Sequence, residues 1–470
     1  MSISAHSPGA ALADWLAYLE TLHPKAIDLG LDRIRTVADH LALSLDCVKI
    51  TVAGTNGKGS TCAMLESILL NAGYKVGKYT SPHLLRFNER ICVNGQEASD
   101  ADIVAQLERI EAVRGSVTLT YFEMTTLAAL LLFQAARLDV VVLEVGLGGR
   151  LDAVNLIDAD CAILTSVDLD HTQYLGNTRE AIGLEKAHVF RPGRPAICAD
   201  PMPPHTVIDH AEAIGADLWR VGVDFNYSGD RQQWAYGGRS QRRSALGYPA
   251  LRGANQLLNA SAALAALEAL RDRLVVTQQD VRQGLLHVSL PGRMQILPGL
   301  PATILDVGHN PHAASTLGQN LDSMGHYPHT YAVVGMLHDK DIEATLSRLV
   351  RRVDRWLCAT LGGPRGTTAQ ELADTVRRIS GEQAPVDPFI TQTHELARPA
   401  GGHKPGVRAE PRPAVAVRDV QVSTYDSPEQ AFAEARKQAT DNDRILVFGS
   451  FATVGPVLDV LRHEGRDVLS

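Results

Sequence analysis

The chain has 470 residues and a formal net charge of −8. That length suggests two to four domains, two being the expectation, and allows a sizeable core without disulfides or a structural metal. A hydrophobic fraction of 45% and a charged fraction of 21% are ordinary for a soluble globular protein, and the acidic balance argues against broad affinity for nucleic acid. None of the six cysteines forms a C-x-x-C pair, so reduced core thiols in a cytoplasmic protein are expected. The first residues lack a basic stretch followed by a long apolar run, and no segment approaches roughly 18 apolar residues, so neither a signal peptide nor a membrane span is expected.

In chain order, residues 48–53 read as a buried strand, followed by a Gly-rich turn and a helix over 58–71. Further strands are expected at 140–145, 161–167 and 195–199, with a short helix at 180–189. Strands alternating with helices predict an α/β domain with a mostly parallel sheet. Residues 217–252, richer in Gly, Tyr, Trp and Arg, predict a peripheral β excursion, and 254–273 a helix. A junction after Leu290-Pro291-Gly292-Arg293 divides the chain into domains 1–296 and 297–470. In the second, strands are expected at 302–307, 330–334, 355–359 and 444–448, with a flexible Pro-rich insertion near 383–414.

The strongest chemical signal is Gly54-Thr55-Asn56-Gly57-Lys58-Gly59-Ser60-Thr61 between a strand and a helix. Glycines let backbone N–H groups approach phosphate oxygens, the helix N-terminus adds a positive dipole end, and Lys58 can neutralise phosphate charge. The usual G-x-x-x-x-G-K-[ST] spacing is not met, because Val52 holds the first Gly position and Gly59 separates Lys58 from Ser60. The alternative is a turn that binds nothing. Glu144 lies inside an otherwise apolar strand, where a carboxylate is costly unless paired or metal-bound; the alternative to a metal is an ion pair with Arg150 or Lys58. His171 follows another strand, at the edge where ligands collect in open α/β sheets, or is an ordinary loop histidine. Lys186 by itself reads as a solvated helical lysine.

Several of these segments together resemble folylpolyglutamate synthases: 51–61, Tyr79-Thr80-Ser81-Pro82-His83-Leu84, Phe87-Asn88-Glu89-Arg90, 143–152, Leu169-Asp170-His171-Thr172 and Asp306-Val307-Gly308-His309-Asn310-Pro311. The resemblance runs from about residue 12 to 455. The segments His23–Arg33 and Thr120-Tyr121-Phe122-Glu123 are similar to pterin-site segments of the bacterial bifunctional dihydrofolate synthase/folylpolyglutamate synthase family, within the Mur ligase superfamily. The resemblance implies a P-loop ATPase domain of the Mur ligase central-domain type, followed by a smaller Rossmann-like α/β domain. It implies a cytoplasmic, monomeric ATP-dependent ligase that adds L-glutamate to dihydropteroate and to folates through an acyl phosphate, without nucleic acid or membrane. Thr55, Asn56, Gly57, Lys58, Gly59 and Ser60 would hold ATP phosphates, and Asn259, Arg293 and Asp306 would contact the nucleotide. Ser81, Glu144 and His171 match ligands of Mg²⁺, two ions being expected, and Lys186 matches a carbamylated lysine. Asp28, Leu29, Gly30, Tyr121, Phe122, Leu151, Asp152 and Ala153, with Thr120 and Glu123, would contact dihydropteroate. His309 and Ser450 are expected near glutamate.

Overall fold

In a computed structural model, which describes residues 10–229, 232–381 and 420–466, the chain forms two compact units that meet in sequence between Arg293 and Met294. The Pro-rich segment 383–414, expected to be a flexible insertion, lies outside the described residues.

An eight-stranded sheet underlies the first unit. Its strands are β1 (Val48–Ala53), β2 (Val76–Tyr79), β3 (Ile91–Val93), β4 (Gln96–Glu97), β5 (Val140–Glu144), β6 (Cys161–Leu164), β7 (Pro195–Cys198) and β8 (Asp217–Arg220), in the order β4-β3-β2-β5-β1-β6-β7-β8. From β2 to β8 the neighbours pair in parallel; β3 and β4 are antiparallel. The expected β excursion therefore splits. Residues 217–220 are an edge strand of the main sheet, and only β9 (Asn226–Gly229), β10 (Gln233–Gly237) and β11 (Arg242–Gly247) form a separate antiparallel sheet. An edge strand keeps polar residues such as Asp217 and Arg220, which is why composition merged it with the excursion.

Both faces of the main sheet are covered, which explains the uninterrupted apolar runs of β1 and β5. Val140 and Val142 face the cluster containing Met64, Leu65 and Ile68 of the helix Lys58–Asn71. Val141 and Leu143 face the cluster containing Leu127, Leu130 and Leu131 of the helix Tyr121–Ala136. The period of two along β5 thus puts Glu144 on the face covered by the helix Lys58–Asn71. That helix is apolar nearly all round because the helices Gln256–Ala269 and Gln278–His287 pack on its outer side. The helix expected over 254–273 is this Gln256–Ala269, and that expected at 180–189 spans Arg179–Ala187, begun by the Thr178 cap and ended at His188.

The second unit carries β12 (Gln295–Leu297), β13 (Ala302–Asp306), β14 (Thr330–Val334), β15 (Arg355–Ala359), β16 (Gln421–Tyr425) and β17 (Arg444–Phe448), ordered β12-β13-β17-β14-β15-β16. All pairings but that of β12 are parallel. The polar, largely exposed edge strand β16 gave no apolar signal. The six cysteines are free thiols, five of them buried. Among the described residues no helix is long and apolar enough to cross a membrane.

The seating of the helix Lys58–Asn71 depends on a close helix contact. The Ser67 hydroxyl donates to the Gly284 carbonyl at 2.8 Å, and a Cβ on residue 284 would lie 2.5 Å from the Ile68 Cα. Gly284→Ala must push the two helices apart, an overpacking cost of about 1–3 kcal/mol. A thermal melt should show a melting temperature several degrees lower; an unchanged one would mean that these helices separate freely.

Candidate active site

Four neighbouring strands, β2, β5, β1 and β6, end at one edge of the first sheet, and their carboxyl-end loops bring together Ser81, Glu144, Gly54–Gly57 and 165–171. The turn after β1 is braced from the loop after β6. Thr55 N–H donates to the Ser166 carbonyl at 2.8 Å, Asn56 N–H to Ser166 Oγ at 3.1 Å, and Thr165 Oγ1 to the Asn56 carbonyl at 2.7 Å. Thr55 Oγ1 donates to the Asp168 carbonyl and accepts from its N–H, at 3.1 and 3.0 Å. Residue 54 has a φ of 147°, and a Cβ there would stand 1.9 Å from Thr165 Oγ1, so glycine is required. These bonds moor the Asp168–His171 loop, with His171 in the left-handed region at φ 51°, to the phosphate-type turn.

Lys58 opens the helix after the turn, and its ammonium donates to the carbonyls of Gly54 and Thr55 at 3.1 and 3.2 Å. Lys186 arrives at the same place, donating to the Gly54 carbonyl at 3.1 Å. The reading of Lys186 as a solvated lysine is corrected: it is only 6% exposed. Burial, with the Lys58 cation beside it, pushes its pKa down to about 7. Glu144 is buried too and accepts from Ser81 N–H at 3.2 Å; burial raises its pKa, opposed by the Lys58 cation. Neither alternative ion pair of Glu144 forms, because Arg150 pairs with Glu185 at 2.8 Å and Lys58 bonds to loop carbonyls. The Glu144 carboxylate, Arg293 and the helix start are neighbours: a Cβ on residue 59 would lie 3.9 Å from Glu144 Oε2 and 3.7 Å from an Arg293 terminal nitrogen. Asn259 Oδ1 would lie 2.6 Å from a Cβ on residue 57, and Gln256 Nε2 lies 3.4 Å from Ser60 Oγ.

The three segments expected to contact a pterin also come together. Arg33 joins two of them, with Nη1 donating to Asp28 Oδ2 at 2.9 Å and Nη2 lying 3.2 Å from Glu123 Oε1. His23 bonds the same Asp28 oxygen at 3.0 Å and Thr118 Oγ1 at 2.8 Å. The His23 bond and the Arg33 and Lys25 cations hold the Asp28 carboxyl below the usual range. Thr120 and Glu123 form a capping box at the start of the helix Tyr121–Ala136, so the Glu123 side chain serves its own helix end. Phe122 packs over Gly146, its Cζ 2.6 Å from where a Cβ would stand, and Leu29 and Gly30 lie half-buried beside Asp28. In the third segment Asp152 accepts from Leu147 N–H at 2.8 Å and Val154 N–H at 2.9 Å, between half-buried Leu151 and buried Ala153; burial pushes its pKa up to about 6. This loop runs along the helix that carries Lys186: Arg150 N–H donates to the Glu185 carbonyl at 3.0 Å and Asn155 Nδ2 to the His188 carbonyl at 3.3 Å.

Asp306, His309 and Ser450 belong to the second unit, at the carboxyl ends of the paired strands β13 and β17. Asp306 accepts from Gly308 N–H at 2.7 Å and Met294 N–H at 2.9 Å, His309 Nδ1 lies 2.9 Å from the Val307 carbonyl, and Ser450 caps the helix Phe451–His463.

Sequence reasoning assigned no role to Arg33, to the Thr165–Asp168 brace, or to the pair His83 and Arg90. Arg90 Nε donates to His83 Nδ1 at 2.9 Å, and burial with the Arg90 charge pushes the His83 pKa down to about 4. The available signals were the family-like segments that contain Arg33, His83 and Arg90, and polar residues directly after a strand, as in Thr165-Ser166.

Residues 52–267 match the Mur ligase middle domain, and 292–451 the Mur ligase glutamate ligase domain. The dihydrofolate synthase/folylpolyglutamate synthase of Escherichia coli K12 is 44% identical over 462 residues, 98% of each chain. Among solved structures, the E. coli FolC complex with DHPP and ADP superposes with a TM-score of 0.86 at 43% identity, covering 98% of this chain and 100% of that one. A bifunctional folylpolyglutamate synthase/dihydrofolate synthase with Mn, AMPPNP and L-glutamate bound gives 0.82 at 42% identity, covering 97% and 98%. With both domain types present and the likeness to these relatives running along nearly its whole length, the chain belongs to the dihydrofolate synthase/folylpolyglutamate synthase family of Mur ligases.

Proposed function

We propose that the chain is a carbon–nitrogen ligase that uses ATP to join L-glutamate to 7,8-dihydropteroate, forming dihydrofolate, and to folates such as tetrahydrofolate. The observation that carries this reading is the meeting of Lys58, Lys186 and Glu144 at one phosphate-type turn, in a chain whose relatives hold DHPP with ADP, and AMPPNP with L-glutamate. We read it as a cytoplasmic monomer whose partners are small molecules.

The chemistry follows from leaving groups. A carboxylate would have to expel oxide, so it is a poor acyl donor. The acceptor carboxylate attacks the γ-phosphorus of ATP and ADP departs, leaving an acyl phosphate. The glutamate amine then attacks the acyl carbon, expels phosphate and loses a proton, and an amide remains. The backbone N–H groups of the turn and the start of the helix Lys58–Asn71 cradle the phosphates, and Lys58 neutralises charge on the transferring group. In the first unit Asn259 and Arg293 are read as nucleotide contacts and Phe122 as packing on the pterin ring; in the second unit Asp306 is read as a nucleotide contact and His309 and Ser450 as glutamate contacts.

Ser81, Glu144 and His171 would hold a divalent cation, read as Mg²⁺ with a second ion nearby, which when bound neutralises phosphate charge. The donor set fits: Glu144 has one hydrogen bond, from Ser81 N–H, and an oxygen to spare. Among the described residues no three His, Cys, Asp or Glu side chains converge as a metal cage, so water and phosphate oxygens would have to complete the coordination.

Lys186 is read as carbamylated. A pKa near 7 leaves much of the amine neutral at neutral pH, and a neutral amine adds to carbon dioxide with release of a proton. The product is an anion beside Lys58, where the ammonium was a second cation, so repulsion becomes attraction.

Purified protein should turn over ATP with dihydropteroate or tetrahydrofolate only when L-glutamate is present; glutamate-independent turnover would refute the ligase reading. Lys58→Ala should lose at least about a hundredfold in rate while costing under about 1 kcal/mol of stability; near-wild-type turnover at saturating ATP would refute the assignment of the turn. Lys186→Ala should be inactive and partly rescued by acetate, whereas rescue by small amines would point to a working ammonium. In the unsubstituted enzyme at a fixed low concentration of dissolved carbon dioxide, activity should fall as the pH drops through about 7, because protonation removes the reactive amine. A profile insensitive to carbon dioxide would count against the carbamate.

A further inference from the structure

We propose that Arg90 binds the non-reacting α-carboxylate of a folate acceptor, and so sets how well tetrahydrofolate is used relative to dihydropteroate. This rests on the ligase reading above.

Arg90 ends the short 3-10 turn Phe87–Arg90. Its carbonyl accepts from Thr80 N–H at 2.9 Å, which places its backbone next to the Ser81 segment. Its guanidinium carbon lies 5.5 Å from the centroid of the Phe87 ring and 5.7 Å from that of Tyr121, in the segment 120–123 read as contacting the acceptor. Nε is used by His83 Nδ1 at 2.9 Å. Among the described residues no carboxylate pairs with this guanidinium. The adjacent Glu89 does not, because its two oxygens accept from the N–H groups of Leu84, Leu85 and Arg86, each at 2.7 Å.

The result is a cation oriented by two rings and one imidazole, with its pair of terminal nitrogens turned to no acid. That pair is the fork that grips a carboxylate through two parallel hydrogen bonds. The two acceptor classes differ in this group. Dihydropteroate ends in a single carboxylate, the one that is activated. A pteroylglutamate ends in two, the γ that is activated and the α that is not. The second charge has to enter the same cleft and needs a fixed counter-cation there. Arg90 stands between the acceptor segment at Tyr121 and the reacting edge at Ser81, the stretch in which the α-carboxylate would hang.

The test is steady-state kinetics of the full chain and its Arg90→Leu and Arg90→Lys variants, at saturating ATP and L-glutamate, with three acceptors. These are dihydropteroate, tetrahydrofolate, and the tetrahydropteroyl conjugate of 4-aminobutyrate, which keeps the reacting carboxylate and lacks the α one. Loss of a charge-assisted pair predicts that the ratio of kcat/KM for tetrahydrofolate to that for dihydropteroate falls at least about tenfold in Arg90→Leu, chiefly through KM. Arg90→Lys should recover part of the ratio, and the aminobutyrate conjugate should be a poor acceptor whose use is no further reduced by Arg90→Leu. Equal losses on all three acceptors, or a ratio that stays constant, would overturn the proposal, because Arg90 would then serve the ring, the reacting carboxylate or the fold. If Arg90→Leu does not fold, the Lys variant and the conjugate still decide. A wild-type chain that ligates glutamate to none of the acceptors would instead refute the ligase reading, and this inference with it.

Discussion

Two ammonium groups share one carbonyl oxygen at the carboxyl edge of the first sheet. Lys58 and Lys186 both donate to Gly54 at 3.1 Å, from positions far apart in the chain. Burial, with the Lys58 cation beside it, drives the Lys186 pKa down to about 7. Such a site favours incoming negative charge, whether phosphate, an acceptor carboxylate or a carbamate on Lys186 itself. Glu144 is buried on the same edge, and burial raises its pKa against the pull of the Lys58 cation.

The parallel sheet makes this arrangement rigid. Strands β2, β5, β1 and β6 are neighbours, so loops separated by up to a hundred or so residues leave the same edge. Thr165, Ser166 and Asp168 bond the turn Gly54–Asn56 from outside, and the turn cannot collapse when its own glycines offer no side chains. The segments expected to contact a pterin are tied in the same manner. Arg33 spans Asp28 and Glu123, and the loop around Asp152 is stitched to the helix bearing Lys186 through Arg150 and Asn155. The two sets of residues thus share a scaffold, and a displacement of the Asp152 loop would be felt at Lys186.

How far the sequence could be read depended on whether a residue's role was local. The strands β1, β5, β14 and β17 declared themselves as short apolar runs because both of their faces are buried. The phosphate-type turn was visible for the same kind of reason, since glycines and a lysine between a strand and a helix act through their own backbone. The edge strands β8 and β16 were hidden or misjudged, because an edge tolerates polar residues and carries no hydrophobic pattern. Motif resemblance reached further than physics did, naming Lys186 where composition alone suggested a solvated side chain.

By itself the sequence determined the α/β class, the two-part organisation, the turn at 54–60 and the family to which the chain belongs. These rest on local pattern: hydrophobic period, glycine placement and motif order. Tertiary structure alone decided that Lys186 loses its water, that Glu144 has no cationic partner in Arg150, that Arg33 bridges Asp28 and Glu123, and that Arg90 lies between two rings without an acid. Each of these is a matter of burial and of contacts between residues distant in the chain, and the free energy of a charge depends on what surrounds it in space and not on what precedes it in sequence.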